Sequence, residues 1–311
     1  MTNHYLVTGS GPVGTSVALA LAARGHSVTL ATRSGGGPVH PGIHRMRADI
    51  LNPEQLDHAI SGATAVFHCI HAAYSASAWA QTLPRAEQLV LAAAGERKIP
   101  VIFPESLYSY SNPQQPMTEK SPRDATGGKR GIRTELLNAR AASTTNTVSI
   151  VASDFYGPFG RMAHAGARML ESVFHGWRLL AIGNPDLPHS FTYLPDLAAA
   201  MIRAAQRPEL FNGVLHAPTL PPLSQRAMAK AYAAAAGLPA PKVSGIPGNV
   251  LRAAGLLHPA TRELAEMTYQ FDRPFVMDSL ESQSLLGLHP TALAEGAQKT
   301  VDWWREAGPN R

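Results

Sequence analysis

One local pattern constrains this chain more than any other: a glycine turn set between a short strand and a helix. His4 to Thr8 (HYLVT) is a β-rich apolar run that ends directly in Gly9, Ser10, Gly11, Pro12, Val13 and Gly14. Pro12 to Arg24 then carries Val13, Val17, Leu19, Ala20 and Ala23 at helical spacing. Strand, G-x-G-x-x-G and helix in that order predict a dinucleotide-binding βαβ unit. The first glycine permits a tight turn, the second lets phosphates approach the backbone, and the third lets helix and strand pack closely. The helix start offers its free N–H groups to the anion. Gly9, Gly11, Pro12, Val13 and Gly14 are therefore the expected pyrophosphate contacts.

The alternation continues along the first half. Ser27 to Ala31 (SVTLA) reads as a strand and Pro53 to Ile60 as a helix. Ala65 to Ile70 (AVFHCI) is a strand, followed by a long helix over Ser77 to Ala94 and a strand at Pro100 to Phe103. A Pro-, Ser-, Asn- and Gln-rich loop spans Ser106 to Thr126, then a helix at Ile132 to Ala142 and a strand at Thr147 to Ala152. Strands alternating with helices imply right-handed crossovers and a parallel sheet. The expected fold class is α/β, a Rossmann-type doubly wound parallel sheet. Beyond Ser153, Pro and Gly punctuation becomes dense. The expected division is a nucleotide-binding domain over 1–153 and a smaller, mostly helical substrate region over 154–311, with 178–206 returning to the sheet.

Composition removes several function classes. The chain of 311 residues is 45% hydrophobic and 16% charged, as in globular proteins. Its net charge of +5 comes from scattered Lys and Arg rather than a basic tract, so no nucleic-acid partner is expected. Cys69 is the single cysteine, which suits a reducing cytoplasm. No apolar run approaches the roughly 20 residues that span a bilayer, and no leader pattern is evident, so no membrane partner is expected. The thirteen histidines include the pairs His40/His44 and His68/His71, but no carboxylate or cysteine joins them at ligand spacing, and no metal is expected.

The end of the second strand selects the cofactor. NAD sites place an acid there for the ribose 2′-hydroxyl, whereas NADP sites place Arg nearby for the 2′-phosphate. This chain has Thr32, Arg33 and Ser34 with no acid in the vicinity, which favours NADP(H).

Further segments carry a family resemblance. Ala48-Asp49-Ile50, Ala65 to Ala73 (AVFHCIHAA), Ile102 to Tyr108 (IFPESLY), Ser153 to Pro158 (SDFYGP) and His189 to Leu197 (HSFTYLPDL) follow the glycine turn in order. Together they resemble the extended short-chain dehydrogenase/reductase family of the NAD-dependent epimerase/dehydratase type. The resemblance implies adenine contacts from Asp49 and Ile50, cofactor contacts from His71, Ser153 and Phe155, and a catalytic serine at Ser106. It places Tyr156, Phe159 and Phe191 near a small-molecule substrate, and assigns Asp196 to a later substrate-domain motif. The aromatic residues, with Trp177, hint at a substrate more apolar than a nucleotide sugar.

Two departures stand out. The glycine motif is one residue tighter than the family's G-x-x-G-x-x-G, and its Tyr-x-x-x-Lys pair is missing. Aligned on the helix that continues Thr134-Glu135-Leu136, the tyrosine position becomes Lys129 and the lysine position Arg133, as in the family's atypical branch. Arg133 could hold ribose hydroxyls but cannot transfer protons near neutral pH. Lys129 could donate a proton to a carbonyl or form an imine. Tyr108 and Tyr156 are further candidate donors. The expected activity is NADP(H)-dependent oxidation or reduction of a small carbonyl or hydroxyl compound. The alternatives are an isomerase, dehydratase or cyclase that retains its cofactor, and a non-catalytic NADP(H)-binding sensor. In the family two long helices pair across a dimer, and Ser77 to Ala94 with Ile132 to Ala142 would occupy those places.

Overall fold

The computed structural model describes residues 2–256 and 258–308. Five of the predicted strands form the middle of one parallel sheet: β1 (His4–Thr8), β2 (Ser27–Thr32), β4 (Val66–His68), β5 (Val101–Ser106) and β6 (Thr147–Ala152). Two edge strands complete it, β3 (Ile43–Arg47) and β10 (Gly213–His216), in the order β10-β6-β5-β4-β1-β2-β3. Strand order reverses between β1 and β4, and the glycine turn leaves β1 at that crevice, where open α/β sheets bind ligands.

Two apolar layers make the sheet doubly wound. Helix α1 (Pro12–Ala23) and helix α6 (Leu194–Ala205) bury Val17, Leu21, Leu197 and Met201 against one face. Helix α2 (Pro53–Ile60) and helix α3 (Ala76–Glu96) bury Leu56, Ile60, Ala86 and Val90 against the other. Each fully buried Leu, Ile or Val of these layers contributes roughly 1.5–3 kcal/mol. Pro53 opens α2 at its first turn, and the Asn52 side chain caps it by accepting from the Gln55 amide at 3.1 Å.

Boundaries differ from the sequence reading where tertiary context decides them. Strand β3 lacks a clean pattern because it is an edge: only Ile43 is buried, and His44, Arg45 and Arg47 are exposed. Strand β5 runs on through Pro104 to Ser106. Its pairing with β4 ends at Ile102, so the missing proline N–H falls where only β6 remains alongside. Helix α4 (Gly128–Ala142) begins four residues before Ile132, since glycines at 128 and 131 mask its start.

The second region is mostly helical, with α5 (Ala167–His175), α7 (Gln225–Ala236) and α11 (Leu293–Ala307) around a core of Met169, Leu170, Tyr232 and Val301. Two short parallel sheets join it, β7 (Asp154–Tyr156) with β9 (Phe191–Tyr193), and β8 (Leu179–Ile182) with β11 (Val243–Ile246). Strand β8 thus belongs to the small region. The return to the main sheet runs instead from α6 to β10. Helices α8 (Gly248–Gly255), α9 (Pro259–Ala265) and α10 (Leu280–Leu286) complete the chain order. Among the described residues, no helix is long and apolar enough to cross a membrane.

Candidate active site

The three glycines of the first turn meet three different surroundings. Gly9 has φ +87°, and a Cβ there would lie 2.9 Å from the Cys69 carbonyl oxygen. A Cβ on Gly14 would lie 2.0 Å from the Gly9 oxygen, so helix and turn touch directly. A Cβ on Gly11 would meet nothing within 4 Å. The α1 start carries no side-chain cap and no acid in its first turn. Bare amides, a positive helix end and an open approach at Gly11 fit a dinucleotide pyrophosphate. Cys69 packs behind the turn, its thiol pushed far up by burial, and is inert.

Arg33 and Ser34 are exposed at the end of β2, and the Ser34 hydroxyl accepts from the Gly36 amide at 3.1 Å. The β2–β3 register sets Thr32 beside Arg47, and a Cβ on Gly35 would lie 3.3 Å from the Arg47 Cβ. Arg47 therefore underlies the same turn, a neighbour the sequence reading missed because β3 was not located. Asp49 accepts from the Leu51 amide at 3.0 Å and is half-buried, whereas the Ile50 side chain is core.

Ser106 ends β5 in register with Ala152. Its amide donates to Glu105 Oε1 at 2.8 Å, and its hydroxyl lies 3.3 Å from the same oxygen. Glu105 is anchored by the buried Arg140, whose guanidinium reaches Glu105 Oε2 at 2.8 Å, Glu87 at 2.5 Å and Ser149 at 3.0 Å. This network fixes the serine against α3, α4 and β6. Arg133 lies 3.5 Å from Glu105 and 4.8 Å over the Trp79 ring. It donates to His71 Nε2 at 3.2 Å, while His71 Nδ1–H donates to the Ala72 carbonyl at 2.8 Å. Burial and the Arg133 charge lower the His71 pKa, which suits this neutral tautomer.

Beside them Tyr108 stacks on Trp79, with ring centroids 6.0 Å apart, and its hydroxyl meets the Tyr74 hydroxyl at 3.2 Å. Burial pushes the Tyr74 phenol up to about 12 and the Tyr108 phenol well above its usual range. Tyr74 is 45% exposed, so the pair runs from the interior to solvent.

Asp154 and His189 form a pair that the sequence reading did not single out, although both lie in the quoted segments. His189 Nε2 meets Asp154 Oδ2 at 2.8 Å, and His189 Nδ1 lies 3.3 Å from the Gln270 carbonyl. Burial alone would raise the Asp154 carboxyl; the His189 hydrogen bond, with the Arg168 charge nearby, outweighs it and holds the carboxyl below its usual range. His164 is neutral, pushed down to about 4 chiefly by burial. The Gln225 amide donates to Ile182 O, so its oxygen accepts from His164 Nε2–H at 2.8 Å. His164 Nδ1 then accepts from Arg168. Asp154 and His189, 35 residues apart, are brought together by the pairing of β7 with β9.

The profile of the NAD dependent epimerase/dehydratase family matches residues 5–213. The chain belongs to that family. Among solved structures, the Bordetella bronchiseptica enzyme WbmH in complex with NAD+ is similar at 17% identity and TM-score 0.78, over 99% of this chain and 100% of that one. UDP-N-acetylglucosamine 4-epimerase from Bacillus cereus is similar at 17% and 0.75, over 98% and 97%. dTDP-glucose 4,6-dehydratase from Bacillus anthracis, in complex with NAD, is similar at 14% and 0.77, over 98% and 97%. No curated protein matches the chain by sequence.

The structure places Lys129, the expected acid/base, in a buried ion-pair cluster. Its side chain is 0% exposed, and its ammonium pairs with Glu263 at 2.5 Å and Glu266 at 2.7 Å. It also donates to the Glu263 carbonyl at 3.1 Å and lies 4.8 Å over the Tyr74 ring. The Lys129 amide donates to Glu266 Oε1 at 2.8 Å, and the Ala76 amide donates to Glu263 Oε2 at 3.1 Å. The two glutamates thus cap the starts of α4 and α3 while holding Lys129. A buried lysine paired with two carboxylates forms a latch between α4 and the segment that carries Glu263 and Glu266. The acids lie more than 130 residues away in sequence, so no local signal announces them.

The three expected substrate residues sit in packed surroundings. Tyr156 is core, pressed against Gly296 and tilted against the Tyr193 ring at 5.0 Å. Phe159 packs on Trp303 at 5.7 Å, and Phe191 is buried behind His189 at 4.9 Å. Trp177 stacks on His175 at the surface. Ser153 is buried, with its amide donating to Thr192 Oγ1 at 2.9 Å, and Phe155 packs partly against the sheet core. Asp196 accepts twice from Thr291 at 2.7 Å and ties the α6 start to the C-terminal segment. No His, Cys, Asp and Glu group suited to a metal occurs among the described residues.

Proposed function

We propose that this family member is an NADP(H)-dependent oxidoreductase that reduces a small carbonyl compound, with Tyr108 as the proton donor in place of the missing tyrosine. The observation that carries this reading is the Tyr108–Tyr74 hydroxyl pair, two residues beyond Ser106 and open to solvent at Tyr74. Phenols held protonated by burial suit donation to a developing alkoxide, which is a far stronger base than a phenolate. They suit proton abstraction poorly, so reduction is the favoured direction.

The residues that would hold the cofactor are Gly9, Gly11 and Gly14 at the pyrophosphate, Arg33, Ser34 and Arg47 at a 2′-phosphate, and Arg133 with His71 at the nicotinamide ribose. When bound, the cofactor supplies hydride. Ser106, oriented by Glu105, would donate to the substrate carbonyl oxygen, and Trp79 and Tyr108 would exclude water from one side. The test is a titration with NADPH and NADH, followed by reduction assays on Tyr108→Phe. The expectation is an NADPH preference and a loss of about 10²–10⁴-fold in kcat with cofactor affinity retained. Unaltered kcat in Tyr108→Phe would reject the donor assignment, and binding of neither nucleotide would reject the whole reading.

A second reading, an isomerase or dehydratase that keeps its cofactor, is favoured by the epimerases and dehydratases among the similar structures. Nucleotide that copurifies and never exchanges during turnover would select it. The groove between α3 and α4, lined by Pro84, Leu91, Leu136 and Ala139, suits a second copy of the chain. Light scattering that finds only monomer would dismiss the homodimer.

A further inference from the structure

Asp154 is held by one oxygen only. Its Oδ2 takes the 2.8 Å hydrogen bond from His189, and its Oδ1 has no hydrogen-bond partner among the described residues. The His189 ring is 3% exposed and the Asp154 side chain 20%, so the carboxylate is the part of the pair that a ligand can reach. His189 is rigid: Phe271 stacks on it at 5.0 Å and Phe275 at 5.3 Å. His189 Nδ1 lies 3.3 Å from the Gln270 carbonyl, so the ring is tethered at both nitrogens. The pair is therefore a carboxylate with one oxygen held by a fixed imidazole and the other open.

This carboxylate faces the reducing site. Asp154 stands two residues beyond Ala152, the register partner of Ser106. Its partner His189 packs on Phe275, whose ring lies 6.1 Å from that of Tyr269, and Arg130 joins Tyr269 to the Tyr108 carbonyl. The neighbouring cations are committed elsewhere. Arg130 donates to the Tyr108 carbonyl at 3.3 Å and the Tyr110 carbonyl at 2.6 Å, and lies 4.8 Å over the Tyr269 ring. Lys129 is latched to Glu263 and Glu266. Arg168 donates to His164 and to the Leu180 carbonyl.

A phosphate entering here would meet a carboxylate oxygen without a free cation to offset it, and an ammonium would enter beside the Arg130 and Arg168 cations. A hydroxyl meets neither difficulty: it donates one hydrogen bond to Oδ1 and packs its carbon frame on the phenols. We propose that Asp154 Oδ1 is the specificity-determining acceptor for a substrate hydroxyl, and that the site takes neutral hydroxy-carbonyl compounds rather than sugar nucleotides or amines. The proposal rests on the oxidoreductase reading and names its substrate class.

The NADPH-loaded protein is titrated with 2-hydroxyacetophenone, acetophenone, 2-aminoacetophenone and UDP-glucose, using the fluorescence of bound NADPH. The hydroxy ketone is expected to bind at least about tenfold tighter than the other three, the scale of one hydrogen bond to a charged group. Asp154→Ala is expected to erase its advantage over acetophenone while NADPH affinity holds. Equal affinities in the wild type, tighter binding of the amine or UDP-glucose, no binding of either ketone, or an advantage that survives in Asp154→Ala would overturn the proposal. Should Asp154→Ala fail to fold, Asp154→Asn keeps the shape without the charge and should cut the advantage at least about threefold; an unchanged advantage overturns it. Failure to bind NADPH would instead reject the oxidoreductase reading, and calorimetry of the ketone pair on the cofactor-free protein would still decide the role of Asp154.

Discussion

Two helix starts at the same edge of the sheet are treated in opposite ways. Helix α1 begins bare: Gly11 offers no side-chain cap, Pro12 fills the first turn, and no acid lies near. Helix α4 also begins on a glycine without a cap of its own, yet its Lys129 amide is taken by Glu266, and α3 beside it receives Glu263. A helix start carries roughly half a positive charge and unpaired N–H donors, so each attracts an anion. At α1 the anion would come with a ligand; at α4 the protein supplies it. The α1 start is left to be completed from outside, whereas the α4 start is closed from within the protein, with the residue at the family's tyrosine position held in the closure.

The comparison breaks most sharply at the latch. Lys129→Met leaves two carboxylates facing a buried helix start, and removing one partner of a buried pair costs about 3 kcal/mol or more. Denaturant unfolding should show that loss, and Lys129→Met combined with Glu263→Gln and Glu266→Gln should recover most of it. A single variant with unchanged stability but no reductase activity would return Lys129 to the role of acid/base.

The opposite expectation holds at α1. Gly11→Val places its Cβ where nothing stands within 4 Å, so the melting temperature should stay within a few degrees while NADPH affinity falls about a hundredfold. Gly14→Ala, with its Cβ 2.0 Å from the Gly9 oxygen, should instead unfold the turn and lower both. A Gly11→Val protein that binds NADPH normally would remove the phosphate from this turn.

The difference also explains what the sequence made legible. The α1 turn is local: strand, three glycines and helix lie within 20 residues, and Gly14 answers to Gly9 inside the pattern itself. The sheet and its helices follow for the same reason, since their periodicity is written in contiguous segments. The latch is not local. Nothing near Lys129 reveals that α9 will cover it, so a lysine at a catalytic position reads as reactive. Tyr156 and Phe191 are a similar case, because a motif fixes a strand but its two faces are told apart only when β7 meets β9. Asp154 and His189 were visible as residues, and only strand pairing makes them a couple.

The halves also differ in how they meet acid. His68, buried beneath the nucleotide half, is pushed down to about 3 by burial and then by the Arg140 charge; its Nδ1 meets Thr8 Oγ1 at 3.1 Å. His164 in the substrate half is pushed down to about 4. Both values lie below the ordinary 6.5, so on acidification the unfolded chain takes up these protons first. Stability from each neutral ring is complete above pH 6.5 and drains as pH falls towards the folded values, at up to about 1.4 kcal/mol per pH unit per histidine. Unfolding free energies between pH 6.5 and 5, above the carboxylate range, should show that slope, and His164→Gln should reduce it. A flat profile in that window would mean that the rings are not held neutral.

The smallest effect tests the adenosine end, where the bare half meets its ligand. Arg33 was evident at the end of β2, whereas Arg47 arrives from β3 through the register with Thr32. If both face a 2′-phosphate, Arg47→Ala should weaken NADPH by roughly tenfold and leave NADH unchanged, since one charge-assisted hydrogen bond is worth about 1.5 kcal/mol or more. Arg33→Ala should do the same, and the double variant should lose the preference between the nucleotides. Equal loss of NADPH and NADH in Arg47→Ala would assign that arginine to supporting the Ser34–Gly35 turn, against whose backbone its Cβ already packs. The cofactor choice would then rest on Arg33 alone.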